Sequence, residues 1–314
     1  MKNKIYHLYR LNFLTAAKGK MALGKGKEEK KPEKEMSFLE HLEELRWHII
    51  RSVLAIVILT ITAFIFKNVI FDYVILAPKN PDFFTNRMFC KLGWFLLNSD
   101  LLCINTKPFQ LISIKMSGQL TTHVAVSIVS GVILSAPFIL YEFWRFFRPA
   151  LYINERKYAR GAVVWSSMLF FTGVVFGYFM IVPLSIHFLG SYQISDQVVN
   201  QIYVRSYIGT LTSIVLASGI IFELPLLTFV LTKIGVITPH FLIKYRKHSV
   251  VIIFILAAII TPPDIFSQVL VSIPLLILFE VGIIISKSVY RKKQKEREEF
   301  MNDGEKSSTE NSTL

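Results

Sequence analysis

The chain has 314 residues, of which 53% are hydrophobic and 18% charged, with Phe alone contributing 26. A soluble domain carries about 25% charged residues. The low charge, the mean hydropathy of +0.48 and the recurring long apolar segments exclude an ordinary globular protein and predict a polytopic helical membrane protein. The net charge of +13 gathers at segment ends and in the tails, which favours anionic lipid and membrane topology over nucleic acid as its explanation.

Residues 1–36, with KGKMALGKGKEEKKPEKE at their centre, read as a basic, mostly disordered tail. The opening MKNKIYHLYRLNFL has only a short apolar patch, so no cleavable signal peptide is expected. Order is expected from Ser37, which with Glu40 forms a capping-box pattern. Phe38, Leu42, Leu45 and Ile49 then recur at helical spacing, with His41, Glu44, His48 and Arg51 along another face. An interfacial helix feeding a first span over about residues 49–66 is predicted.

Residues 67–115 read as a long connection holding Pro78, Pro108 and the only two cysteines, Cys90 and Cys103. A disulfide between them and two unpaired thiols are equally compatible with the sequence. A second span is predicted over 116–140, where His123 reads as packing rather than as a ligand. The stretch PFILYEFWRFFRPALYINERKYAR over 137–160 then crowds aromatics and cations at an apparent membrane–water boundary, with Glu155 among Arg148, Arg156, Lys157 and Arg160. A third span over 161–182 carries Gly173 and Gly177, a small-xxx-small pair suited to close helix packing. A polar connection is expected over 183–206 and a fourth span over 207–231, with Glu223 and Pro225 inside it. Spans five and six, over 249–260 and 269–286 around a TPPD turn, are expected to be short. A charged tail over 289–314 closes the chain. Connections 2–3 and 4–5 are rich in Lys and Arg, whereas connection 3–4 carries only Arg205 and connection 5–6 carries none. That asymmetry predicts six spans with both termini cytoplasmic.

Four kinds of acid could carry chemistry. Glu223 lies deep in an apolar segment, where a charge costs about 2.5–3.5 kcal/mol on the lenient insertion scale, so it is expected to be protonated, paired or facing a partner. Asp264 reads equally as a helix cap or a functional acid, and Glu280 as structural or partner-facing. Glu44 and Glu155, taken singly, read as solvated surface acids; together, held at one membrane face, they could grip two guanidinium groups. No H-E-x-x-H, Walker lysine loop or G-x-S-x-G occurs, so neither an enzyme, a cofactor nor a metal site is expected. An ion-coupled secondary transporter using Glu223, Asp264 and Glu280 is the alternative, although the repeated halves of such folds are missing.

Five segments occur in order: FLEHLEELR at 38–46, SAPFILYEFWRFFRPALYINER at 135–156, GYFMIVPLSIHFL at 177–189, FELP at 222–225 and TPPDIFSQ at 261–268. Together they resemble the TatC family, the multispanning core of the twin-arginine protein translocase, over residues 37–288. The resemblance implies six helices in a concave, glove-like bundle in the bacterial inner membrane. It also implies capture of the twin-arginine signal peptide of folded precursors, with transport driven by the proton-motive force. In the family the acid of E-L-R, here Glu44, and the acid of A-L-Y-x-x-E-R, here Glu155, contact the arginine pair. Arg46, Phe146, Pro137 and Pro78 match positions needed for that site or its shape. Glu223 matches an intramembrane acid that meets a single-span TatA/TatB-type partner, and Glu280 is grouped with it as a partner-facing candidate. Lipid contact and self-association within a larger complex are expected as well. The basic N-terminus and residues 80–105, which read as an insertion holding both cysteines, depart from the family pattern.

Overall fold

The computed structural model describes residues 38–98, 103–105, 110–147, 159–195, 197–198, 200–261 and 265–312. The expected tail over 1–36, Glu155 and Asp264 lie outside the described residues. The chain divides into two compact units, Met1–Glu44 and Leu45–Leu314. Of the first, the described residues are the opening turns of a helix; the second holds the rest of the fold.

Helix α1, Phe38–Ile65, is a single unbroken element. The amphipathic turn expected to feed the first span is continuous with it, because no Pro or Gly interrupts residues 38–65 and the helix simply propagates. The first connection is built rather than loose. It contains a π-helical turn at Val69–Ile75, a 3-10 turn at Ala77–Lys79, helix α2 at Phe84–Leu97 and strand β1 at Leu111–Ile112. The last two carbonyls of the π turn, orphaned as at any helix end, accept hydrogen bonds from Tyr178 Oη (2.7 Å to Val74 O) and Tyr207 Oη (2.8 Å to Ile75 O).

Helix α3, Gly118–Phe147, continues through Pro137 and past the boundary expected near residue 140. An interior proline costs about 3 kcal/mol through its lost hydrogen bond and ring clash; burial of Ala136, Glu142 and Trp144 on either side offsets it. Helix α4, Ala159–Phe176, a π turn at Gly177–Ile181 and helix α5, Val182–Ser191, form one continuous apolar rod. The polar connection expected from residue 183 therefore starts later. Pro183 sits in the first turn of α5 and has no N–H for the carbonyl of Phe179, which accepts instead from the hydroxyl of Thr85; Pro183 through Ile186 are buried.

Strand β2, Ile202–Tyr203, pairs in parallel with β1 in the register Leu111↔Ile202 and Ile112↔Tyr203, tying the first and third connections together. Helices α6, Val204–Phe222, and α7, Leu224–Ile234, meet at Glu223. The short α8, Pro239–Lys244, leads into α9, Arg246–Ile260. At 15 residues, α9 is about 22 Å long, short of the roughly 30 Å hydrocarbon core. The last helix corrects the expectation of a short sixth span. Helix α10, Ile265–Ser312, has 48 residues, with a candidate membrane span of 28 residues over Gln268–Lys295. The segment after Tyr290, RKKQKERE, is made of strong helix formers with no breaker, so the helix does not stop where the apolar run does.

Among the described residues, five segments are long and apolar enough to cross a membrane: Leu42–Ile65, Gly118–Phe147, Gly161–Ser191, Val204–Ile234 and Gln268–Lys295. The chain is an all-α polytopic membrane protein. Two close approaches fix the packing. A Cβ on Gly131 of α3 would lie 2.8 Å from the backbone nitrogen of Thr60 on α1. One on Gly173 would lie 2.6 Å from the Ser218 carbonyl of α6, and one on Gly177 2.7 Å from the Ser218 hydroxyl, so the expected small-xxx-small face does meet a neighbouring helix. A buried Thr232–Ser286 hydroxyl bond (2.8 Å) joins α7 to α10.

Candidate functional site

A buried polar cluster lies where α1 meets the end of α3. His48 and Glu142 are 6% and 2% exposed, and the Nδ1 of His48 donates to Oε2 of Glu142. Arg51, one helical turn after His48, places a guanidinium nitrogen 3.8 Å from the same oxygen. The carboxylate thus has an imidazole and a cation to replace the water it loses on burial, as a buried acid requires. Phe146, one turn beyond Glu142, turns the edge of its ring to His48 at a centroid distance of 6.0 Å. Trp144 is buried against Phe229 of α7 at 5.7 Å. The stretch read from sequence as a membrane boundary is, up to Phe147, a helix end anchored on two neighbours.

Glu223 is the opposite case. It lies between α6 and α7 because Pro225 has no N–H to donate to the carbonyl of Ile221, and the ladder breaks there. Both of its carboxyl oxygens are buried, and neither has a hydrogen-bond partner among the described residues. Glu280 on α10, expected to be structural or partner-facing, has an internal partner: Arg246 Nε donates to Oε1 at 2.6 Å. Both side chains are about half exposed.

On the far side of the chain, the first connection is locked by amides. Asn86 Nδ2 donates to the carbonyls of Asn80 (2.8 Å) and Pro78 (3.3 Å), and Asn105 Nδ2 donates to Pro183 O (3.1 Å) and to Asn86 Oδ1 (3.3 Å). Pro78 is buried within this network. Cys90 and Cys103 are joined by a disulfide, which closes the same segment. His123 stacks on Phe64 at 4.0 Å and bonds the Phe64 carbonyl (3.1 Å), a packing role.

The structure therefore brings Phe146 beside His48 and leaves Arg46 exposed on α1. Pro137 lies within α3, half-buried. Glu44 is half-buried in the first unit. Sequence reasoning missed Glu142. The available signal was a carboxylate inside the apolar run FILYEFW, the pattern that marks an intramembrane acid for attention. His48 was placed only on a polar helix face; no local pattern names a partner 94 residues away. Among the described residues no cluster of His, Cys, Asp or Glu could hold a metal ion.

Comparison with known proteins bears directly on this arrangement. The family model described as "TatC: Sec-independent protein translocase protein (TatC)" matches residues 40–274. A Sec-independent protein translocase protein TatC from Blattabacterium sp. subsp. Periplaneta americana is 43% identical over 273 residues, covering 84% of this chain and all of that one. The TatC of Aquifex aeolicus is 35% identical, covering 82% of this chain and 98% of its own length. Two crystal structures of the twin-arginine translocase receptor TatC superpose with TM-scores of 0.57 and 0.61 at 33% and 34% identity, covering 80% and 79% of this chain and 99% of each. The matched range takes in α1, the end of α3, Glu223 and the start of α10, and this chain belongs to the TatC family of Sec-independent protein translocase proteins.

Proposed function

We propose that this chain is the signal-peptide receptor and core subunit of a twin-arginine translocase. It sits in the bacterial inner membrane with six spans and cytoplasmic termini. Glu44 and Glu155 bind the paired arginines of the peptide, since each carboxylate accepts two parallel N–H bonds from a guanidinium. Arg46 and Phe146 shape the same face, and the disulfide-closed segment 80–105 caps the opposite one. Residues 37–288 make the membrane domain, flanked by tails over 1–36 and 289–314. The chain binds, orients and recruits; it has no catalytic step, and the proton-motive force moves the folded precursor.

Glu223 is assigned to partner recruitment. A buried carboxyl without an internal hydrogen bond is costly, and a polar group on a TatA/TatB-type single-span helix would relieve it. Several copies assemble around such partners. The transporter reading is weakened by Arg246, which holds Glu280 in a half-exposed ion pair rather than in a relay.

What carries the receptor reading is the likeness to solved twin-arginine translocase receptors over 79–80% of the chain, with both acidic motifs in place in the sequence. Photocrosslinking of a twin-arginine peptide to membranes holding the protein tests it. Hydrogen bonds to charged groups contribute about 1.5–3 kcal/mol, so Glu155→Ala and Glu44→Ala should each lower capture about tenfold or more. A peptide with both arginines changed to lysine should fail similarly. Unchanged crosslinking in Glu155→Ala overturns the assignment.

A further inference from the structure

The two-stranded bridge between β1 and β2 does more than tie connections together. Lys115 follows β1 by three residues and Arg205 follows β2 by two, so the register Ile112↔Tyr203 brings both cations to one rim. Beneath that rim is a cavity of about 840 Å³, within the roughly 300–1,000 Å³ of small-molecule sites. Among the described residues no Asp or Glu lines it and neither cation has an ion-pair partner. Its walls pass from the hydroxyls of Thr121 and Thr210 to the apolar side chains of Leu189, Ile214 and Ile260. Thr121 lies in the first turn of the second candidate span, Leu189 in the last turn of the third, Thr210 and Ile214 within the fourth, and Ile260 ends α9. Lys115 stands in the first connection and Arg205 is the second residue of α6, so the cations lie at the mouth of the apolar segments that form the floor.

We infer that this cavity is a binding site for an anionic glycerophospholipid, with the phosphodiester between Lys115 and Arg205 and the first part of an acyl chain along Ile214 and Ile260. A soluble anion would use the rim but has no need of the apolar floor. A neutral amphiphile would use the floor but not two unopposed cations. The charge pattern points the same way. Arg205 is the single cation of residues 183–206, and Lys115 joins it from the first connection, which also carries Lys67, Lys79, Arg87, Lys91 and Lys107; an anionic headgroup between Lys115 and Arg205 gives that pair a local function. With the orientation proposed above, the site faces the outer leaflet; its existence does not depend on that orientation.

Gly209 supplies a clean way to close the site. It lines the cavity, and a Cβ built there meets nothing within 4 Å, so Gly209→Phe can project into the empty volume without displacing a helix. The measurement is native mass spectrometry of the full-length protein in detergent, titrated with phosphatidylglycerol, phosphatidylethanolamine, diacylglycerol or inorganic phosphate. Phosphatidylglycerol should be retained in preference to the other three. Each cation near an anionic headgroup is worth about fivefold in affinity, so Lys115→Gln and Arg205→Gln should each lower retention by about that factor. Gly209→Phe should abolish it at an unchanged melting temperature. Equal retention of phosphatidylglycerol and diacylglycerol, displacement of the lipid by inorganic phosphate alone, or wild-type binding in the double cation variant overturns the proposal. So does crosslinking of a peptide or partner helix, rather than lipid, from a photoprobe at Gly209→Cys.

Discussion

Glu142 and Glu223 are both acids inside apolar helices, and the protein treats them in opposite ways. Glu142 is 2% exposed and is met by His48, with Arg51 close by. Glu223 sits at a proline-weakened helix junction with both oxygens buried and no hydrogen bond among the described residues. One arrangement closes the fold on itself, holding α1 to the end of α3. The other leaves a buried polar group with no hydrogen bond among the described residues. An intramembrane acid is thus informative only together with its partner inventory.

The sharpest test of this contrast is to orphan the satisfied acid. His48→Leu keeps the volume but leaves Glu142 without its imidazole, and breaking a buried pair in this way costs about 3–5 kcal/mol. The purified variant should melt markedly earlier. The double variant His48→Leu/Glu142→Leu should regain most of the loss, because replacing a whole buried pair by apolar side chains is close to neutral. A double variant as unstable as the single would mean that the cluster is not a pair.

Glu223 should move the other way. Glu223→Ala removes an unsatisfied group whose burial costs about 1–3 kcal/mol, so thermal stability should hold or rise. Capture of a twin-arginine peptide should persist while co-purification of a single-span partner weakens. A fall in stability comparable to that of His48→Leu would erase the distinction between the two acids.

Glu280 supplies an intermediate case with a small expected effect. Its bond to Arg246 is well formed at 2.6 Å, but both side chains are half exposed and exposed pairs contribute about 0.2–1 kcal/mol. Arg246→Ala should therefore shift the melting temperature slightly, and less at high salt. A large, salt-independent loss would move Glu280 into the same class as Glu142.

Much of the fold was legible because it is local. Apolar run length marks membrane segments, and this depends only on neighbouring residues; the fourth was expected as one span, whereas Pro225 divides it into α6 and α7 at Glu223. Errors came where tertiary packing outweighed local signals. The aromatic and cationic residues after Pro137 suggested that α3 stops there, yet burying Ala136 and Trp144 carries it on to Phe147. The third span was expected to end at Val182, yet the helix runs on through Pro183 to Ser191, with Thr85 taking the Phe179 carbonyl that the proline leaves open. A different, local cause acts at the end of α10: the apolar run stops at residue 286, yet helix-forming Lys, Glu and Arg over residues 291–298 carry the helix on.

By itself the sequence determined a polytopic helical protein, the positions of most of its spans, an acid beside a proline inside the fourth of them and, through its ordered motifs, the family. Only the tertiary structure decided which groups meet: Glu142 with His48 across 94 residues, Glu280 with Arg246 across 34, Cys90 with Cys103, and β1 with β2 in a register that gathers Lys115 and Arg205. The reason is physical. Hydrophobic run length and helix propensity act along the chain and leave a trace in every window of sequence. A buried acid, by contrast, is satisfied by whichever donor the packed helices bring alongside it, and nothing in its own neighbourhood specifies which that will be.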